Sequence, residues 1–324
     1  MTSEGSAGAG RYAPSPSGEL HLGNLRTAML AWLFARSTGR AFLMRVEDLD
    51  RARDAGAAEA QLAELRALGL EWDGRAVRQS ERIELYRSAL ARLDAAGLVY
   101  ECTCARREIL DAVRAPHAPP GSYPGTCRDR TPRERAAARD AISPRLPALR
   151  LRTPSGAEEL GFEDLLMGRV SGWADDLVLR RGDGVFAYNL AVVVDDAEMG
   201  VDQIVRGDDL APSTARQIVL QRLLGLPSPP RVSYAHVPLV LGPNGARLAK
   251  RDGAVTLSDL AERGVAPDEV RSRLAVSLGM AEPGETITMP QLLGRFDPAR
   301  IPLEPWTWCD APDDGSALQR PDHP

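Results

Sequence analysis

Lysine is almost missing from this chain. Of its 40 lysine and arginine residues, one alone, Lys250, is a lysine, so arginine serves wherever a cation suffices. The two are not equivalent: a compact ammonium on a flexible stem can follow a single phosphate oxygen, whereas the planar guanidinium fork needs a wider, bidentate seat. The position of the one ammonium therefore carries information. Long apolar runs are missing too. Even Ala191 to Val194 is closed off by Asp195 and Asp196, far short of the roughly 20 continuous apolar residues of a membrane span. Met1 to Gly10 is small and polar, without the positive start and apolar stretch of a secretory signal, and reads as a disordered tail. A cytoplasmic protein with no membrane partner is expected. Excess positive charge is also lacking: a net charge of -5 argues against sequence-blind coating of nucleic acid, which depends on neutralising phosphates. Arg128, Arg130, Arg133, Arg135 and Arg139 do form a local stripe opening a helical segment. A solvated charged face is the ordinary reading of such a run, and RNA contact is the alternative. No internal repeat is present.

With 44% hydrophobic and 26% charged residues, the chain can bury one or two cores. Arg11 to Ser15 reads as a short strand entering a Pro- and Gly-containing loop, and Leu22 to about Ser37 as a helix with Leu25, Met29 and Leu33 on one face. A second strand, Ala41 to Val46, ends in Glu47, Asp48 and Asp50, and Ala57 to Leu68 forms a second amphipathic helix. This alternation implies a parallel α/β sheet. A helix beginning at Ser80 stops near Gly97, and Val99 to Cys102 is extended. The Pro- and Gly-rich stretch from Ala115 to Gly125 breaks the pattern, so an insertion starts at about Cys102 and takes in Leu149 to Arg152 and Leu177 to Arg181. The sheet resumes with strands at Ala191 to Val194 and Gln203 to Arg206, a helix from Ser213 to Leu224 and a strand around Val237 to Leu241. Helices over Leu257 to Arg263 and Pro267 to Leu278 follow.

His21, Leu22, Gly23 and Asn24 fall at the carboxyl end of the first strand and the start of the first helix, where open α/β sheets bind ligands. Orphan N–H groups and the helix dipole attract phosphate there, Gly23 lets a nucleotide approach the backbone, and His21 can donate to a phosphate oxygen. Alone these residues are a weak signal. They are accompanied, in order, by Arg11-Tyr-Ala-Pro-Ser-Pro-Ser-Gly, Arg45-Val-Glu-Asp-Leu-Asp, Phe186-Ala-Tyr188-Asn-Leu-Ala-Val-Val-Val-Asp-Asp, Ile204-Val-Arg206-Gly-Asp-Asp and Leu241-Gly-Pro-Asn-Gly-Ala-Arg-Leu-Ala-Lys250-Arg. Over about residues 11 to 280 these segments resemble the class I glutamyl-tRNA synthetases.

That resemblance implies a Rossmann-like α/β catalytic core with an inserted zinc-containing connective subdomain and a short helical C-terminal segment. Its expected divisions are a tail over 1–10, the first half of the core over 11–101, the insertion over 102–180, the second half with the lysine loop over 181–252, and a helical segment and tail over 253–324. His21 and Lys250 are the implied catalytic residues, with His21, Gly23, Asn24 and Lys250 around ATP and Mg²⁺ on its phosphates. Lys250 matches the second lysine of the family's Lys-Met-Ser-Lys-Ser loop, while Arg247 and Ala249 depart from that pattern. Arg11, Tyr12, Ala13, Pro14, Ser15, Glu47, Tyr188 and Arg206 are the implied glutamate pocket, the arginines pairing with substrate carboxylates and Glu47 with the ammonium. Burial makes such charges costly unless paired; a structural Arg45–Glu47 salt bridge is the competing reading of Glu47.

Cys102-Thr-Cys104 with Cys127 suggests a zinc knuckle in a reducing compartment. Spacing alone would nominate His117 as the fourth ligand, whereas the resemblance implies Tyr123; Cys309 reads as an ordinary thiol. Beyond Leu278, 46 residues remain, fewer than the family's helical anticodon-binding domain requires. The short form within this family places glutamate on queuosine at the wobble position of tRNA(Asp), and that reaction, carried out by a monomer, is the expectation. A compact enzyme charging the 3′ end of tRNA(Glu) is the alternative, and a catalytically inactive RNA-binding paralogue is a third reading.

Overall fold

The structure, a computed structural model, describes residues 8–52, 54–111, 122–156, 159–242, 245 and 255–308. Strand β1 (Ala9–Tyr12) is buried along its length and runs through a loop into helix α1 (Leu22–Ser37), which leads to β2 (Ala41–Val46). The two strands pair in parallel, with Ala9 opposite Ala41 and Tyr12 opposite Met44. Next come α2 (Ala58–Ala67) and β3 (Val77–Arg78), parallel to β2, then α3 (Ile83–Ala95). Gly97 ends α3 at φ 71°, a left-handed turn that glycine adopts without strain.

The middle of the chain holds β4 (Val99–Cys102), α4 (Arg106–Asp111), α5 (Pro132–Ile142), β5 (Ala148–Leu151), β6 (Glu159–Asp164), β7 (Gly168–Trp173) and β8 (Val178–Arg180). Then follow α6 (Tyr188–Glu198), β9 (Val201–Gly207), α7 (Ala211–Leu223), β10 (Ser233–Val237) and β11 (Val240–Leu241). Helices α8 (Leu257–Glu262), α9 (Pro267–Val276) and α10 (Met289–Arg295) and strand β12 (Trp306–Thr307) close the described chain.

Seven strands form the main sheet in the order β3-β2-β1-β9-β10-β6-β7. All neighbours are parallel except the β6–β7 hairpin. One apolar cluster, including Leu22, Met29, Leu33 and Leu274, packs α1, α2 and the C-terminal helices; a second, including Tyr86, Leu190, Ile218 and Tyr234, packs α3, α6 and α7. This is the doubly wound arrangement in which both faces of a parallel sheet are covered. No described helix is long and apolar enough to cross a membrane.

Three expectations are corrected. Ala191 to Val194 is not a strand but part of α6. Every residue from Leu190 to Asp196 is buried, so the helix is apolar on almost all sides and its sequence shows no 3.6-residue period to separate it from a buried strand. The segment 102–180 is not one insertion. Strands β4, β5 and β8 form a separate three-stranded antiparallel sheet, whereas β6 and β7 complete the edge of the main sheet. The first strand also begins earlier than expected, at Ala9, and gives way to loop before Pro14, which has no N–H to offer a ladder.

Asp195 on α6 ties the two halves together. Its buried carboxylate accepts from Gln79 Nε2 at 2.8 Å, Arg82 Nε at 2.6 Å and Tyr86 Oη at 2.8 Å, with Arg45 Nε 3.7 Å away. Asp195→Ala leaves Arg45 and Arg82 without that anion; the expected loss is about 3–5 kcal/mol of unfolding free energy, measured by equilibrium urea denaturation, and a loss below about 1 kcal/mol contradicts the assignment.

Candidate active site

The carboxyl ends of β1 and β9 open onto a cavity of about 460 Å³. It lies beside the point where the strand order departs in opposite directions, the crevice in which open α/β sheets bind ligands. Arg11, Tyr12, Ala13, Pro14, Ser15, His21, Gly23, Asn24, Glu47, Tyr188 and Arg206 all line it. Lys250, Arg247 and Ala249 lie outside the described residues. The chain on either side of that segment is nevertheless held against the His21 turn: Leu22 N–H donates to the Val255 carbonyl at 3.1 Å, His21 bridges Thr256, and β11 supplies Val240 to the cavity wall.

His21 caps α1. Its Nδ1 accepts from Asn24 N–H and the Asn24 side chain accepts from His21 N–H, each at 3.3 Å. In the neutral ring, a cap bond accepted at Nδ1 leaves the proton on Nε2, which is the donor a phosphate oxygen needs. A Cβ on Gly23 would lie 3.1 Å from His21 Cε1 and Nδ1 and 3.4 Å from Val240 Cβ, so the glycine is what allows the imidazole to fold back onto the helix start.

Charges on the cavity floor are arranged in two groups. Arg11 donates to Asp196 Oδ1 at 3.2 Å and to the Val205 carbonyl at 3.1 Å; Arg45 pairs with Asp196 at 2.6 Å and with Glu47 at 3.2 Å. The Arg45–Glu47 salt bridge thus exists, and Glu47 lines the cavity as well. Burial pushes the Glu47 carboxyl above the usual range against the pull of Arg45. Burial acts on Asp196 too, but Arg11 and Arg45 overcome it and hold that carboxyl below the usual range. Arg206, in contrast, has no acidic partner among the described residues: its guanidinium donates to Gln217 Oε1 at 2.8 Å, Thr214 Oγ1 at 2.7 Å and His236 Nε2 at 3.2 Å. It is 5% exposed and lines the cavity, so an anion entering there would meet a cation that no described carboxylate neutralises.

The reading of the sequence missed Asp196, whose pairing with Arg11 and Arg45 spans more than 150 residues, and Gln61. The Gln61 amide donates to the Ser15 and Gly18 carbonyls and shapes the loop between β1 and α1. Nothing local marks a polar residue on α2 for that task. The acidic pair at 195–196 closing an apolar run was the available signal for the first.

A second cavity of about 780 Å³ shares Ser15, Ser17, Glu47 and Tyr188 with the first and extends past Arg106, Arg145 and Arg181 to Cys104. At its far end the ligand atoms of Cys102, Cys104 and Cys127 lie within 4.8 Å of one another, spacings that suit one tetrahedral ion with metal–sulfur bonds of about 2.3 Å. The Tyr123 hydroxyl is 3.4 Å from Cys102 Sγ and 3.9 Å from Cys104 Sγ. Burial and the neighbouring Cys102 push the Cys104 thiol up to about 12, the behaviour of clustered thiols that a cation would relieve. His117 and Cys309 lie outside the described residues. Within the arginine stripe, α5 buries no side chain; Arg128 pairs with Asp176, Arg139 with Glu101, and Arg130 donates to Thr103.

Residues 9–305 match the family model for tRNA synthetases class I (E and Q), catalytic domain. The glutamyl-Q tRNA(Asp) synthetase of Nocardia farcinica is 60% identical over 305 residues, 94% of this chain and 94% of that protein. That of Symbiobacterium thermophilum is 50% identical over 311 residues, 91% of this chain and 94% of that one. Among solved structures, a glutamate tRNA ligase from Elizabethkingia meningosepticum in complex with its amino acid superposes with a TM-score of 0.75 at 25% identity, covering 93% of this chain and 67% of the other.

Gly23→Ala presses a methyl group on the His21 ring. Overpacking of this kind costs about 1–3 kcal/mol, so ATP affinity is expected to fall about tenfold while glutamate affinity changes less than about twofold. Calorimetric titration of each ligand checks this, and equal losses for both would contradict it.

Proposed function

This chain belongs to the class I tRNA synthetases for glutamate and glutamine, sharing their catalytic domain, and from that premise we propose that it activates L-glutamate with ATP and transfers it to queuosine at the wobble position of tRNA(Asp). One observation carries the activation step: a single cavity is lined both by the His21–Asn24 turn and by Glu47, Tyr188 and Arg206. The phosphates of ATP rest on the start of α1, where His21 Nε2–H donates to an oxygen and Lys250 supplies an ammonium as charge develops. Arg206 takes the side-chain carboxylate, since Arg11 already has Asp196 as its counter-ion. Glutamine in that place would leave the guanidinium charge unmatched, a stronger penalty than a change of size alone. Glu47 receives the ammonium.

Held this way, the α-carboxylate attacks the α-phosphorus in line, the bond to the β-phosphate oxygen breaks, and pyrophosphate leaves. Mg²⁺, when bound with ATP, shields the phosphate charge. A queuosine hydroxyl then attacks the carbonyl carbon of the glutamyl adenylate and AMP departs. The relatives named above, which are nearly coextensive with this chain, support that acceptor, and the adjoining arginine-lined cavity supports an approach of RNA from the side of β4, β5 and β8. Cys102, Cys104 and Cys127, with Tyr123 as fourth ligand, would hold a structural zinc ion that fixes this side of the cleft. The reaction takes place in the cytoplasm, where ATP, glutamate and tRNA(Asp) meet.

ATP–pyrophosphate exchange is expected with glutamate and no tRNA, at a kcat/KM at least about 100-fold above that with glutamine; absence of exchange overturns the activation step. Labelled glutamate is expected on tRNA(Asp) only when queuosine is present. Its appearance on tRNA(Glu), at a terminus destroyed by periodate, overturns the acceptor instead.

Glu47 sets a pH dependence. Its carboxyl titrates above the usual range, so it is an anion at high pH and loses its charge as pH falls through that raised value. The KM for glutamate should therefore rise on acidification. Glu47→Gln should raise it by about tenfold or more at high pH and flatten the profile; an unchanged slope in that variant refutes the assignment.

A further inference from the structure

We infer that His236, oriented by Asp164, is the positioning residue that aims Arg206 at the substrate's side-chain carboxylate and reserves its positive charge for it. This rests on the assignment of Arg206 to the glutamate side chain made above.

Three adjacent strands bring the residues into line. His236 on β10 is the register partner of Arg206 on β9, and Asp164 ends β6, the next strand. Oδ1 of Asp164 accepts the N–H groups of Leu166 at 2.9 Å and Met167 at 3.0 Å, which fixes the carboxylate plane. Its other oxygen accepts from His236 Nδ1 at 2.6 Å and from the His236 backbone N–H at 3.1 Å. Burial works against the charge of Asp164, yet the hydrogen bonds from His236, Met167 and Leu166 hold it below the usual range. An anionic acceptor at Nδ1 keeps the proton there and leaves the lone pair on Nε2. That lone pair faces Arg206 Nε at 3.2 Å, with Thr214 Oγ1 also at 3.2 Å. Burial and the Arg206 cation outweigh Asp164 and lower the imidazole below its ordinary range, so the ring is neutral.

The arrangement has two consequences for selectivity. A carboxylate placed directly on Arg206 would satisfy the guanidinium and weaken its demand for a substrate anion. With the imidazole between them, the aspartate orients without neutralising. A ring in the other tautomer would turn an N–H toward the N–H groups of Arg206 and push the guanidinium out of alignment.

Asp164→Asn tests this directly. The turn at Leu166 and Met167 still requires an acceptor at Oδ1, which the His236 backbone N–H also reaches at 3.3 Å, so the amide nitrogen faces His236 Nδ1, which must then accept, and the proton moves to Nε2. The expected result is a rise of about tenfold or more in the KM for glutamate in ATP–pyrophosphate exchange, a narrowed preference over glutamine, and a KM for ATP within about twofold of the parent. Nitrogen-15 spectra of the histidine rings should report the change from Nδ1–H to Nε2–H. A switched tautomer with an unchanged KM for glutamate overturns the inference, as does an unswitched tautomer. If near-ultraviolet circular dichroism shows that Asp164→Asn has lost its fold, His236→Gln and His236→Leu decide: glutamine can offer Arg206 an oxygen where leucine cannot, so its KM for glutamate should be the lower by about fivefold or more, and equal values overturn the inference. Glutamate-independent exchange in the parent protein, by contrast, sinks the functional reading itself.

Discussion

Asp195 and Asp196 sit side by side on α6, out of water, and their anionic charge is balanced from opposite directions. Arg82 with Gln79 and Tyr86 reaches Asp195 from α3 and the segment before it, while Arg11 on β1 and Arg45 on β2 reach Asp196. Removing ions from water costs several kcal/mol each, and the cost is offset only where geometry and additional hydrogen bonds are good. Here the chain secures that geometry by folding its two distant halves onto one helix. The carboxyl ends of β1 and β2, and therefore the cavity floor, are held in place by the same network.

Distribution of charge within the cavity follows from this scaffold. Arg11 and Arg45 are spent on Asp196 and Glu47, and the floor is close to neutral. Arg206 stands apart, held by an amide, a hydroxyl and an imidazole. Among the described residues it meets no carboxylate directly, since the His236 ring lies between it and Asp164. Under the proposed function, selectivity against an uncharged isostere comes from this charge balance rather than from the shape of the cavity.

The three-stranded sheet of β4, β5 and β8 adds a second wall. Its cysteine cluster and its arginines face a cavity that meets the first at Ser15, Ser17, Glu47 and Tyr188. Under the proposed function, this is the side from which RNA approaches. The reassignment of β6 and β7 to the main sheet matters in this respect, because Asp164, the residue that orients His236, belongs to the core and not to the insertion.

Much of the site was legible in the chain itself. Glycine at 23, histidine at 21 and proline at 14 and 16 carry local conformational demands that hold wherever the segment is placed, and Ala41 to Val46 shows its strand in its own composition. The single lysine stands out by contrast with a chain that otherwise uses arginine, but it lies outside the described residues. What remained hidden depends on partners remote in sequence. A run of four apolar residues at 191–194 has the same appearance as a buried strand or the buried side of a helix, and only packing against α3 and α7 decided for the helix. Gln61, Asp164 and His236 carry no local signature, and the acidic pair at 195–196 showed only that charge closes an apolar run, because a polar side chain becomes a clamp or a relay through what burial places beside it. Sequence alone determined which chemical groups the protein brings to its site and where its turns must lie. Tertiary structure decided which charges cancel and which one meets only neutral partners among the described residues, since that balance exists only between residues that folding has brought within a few ångströms.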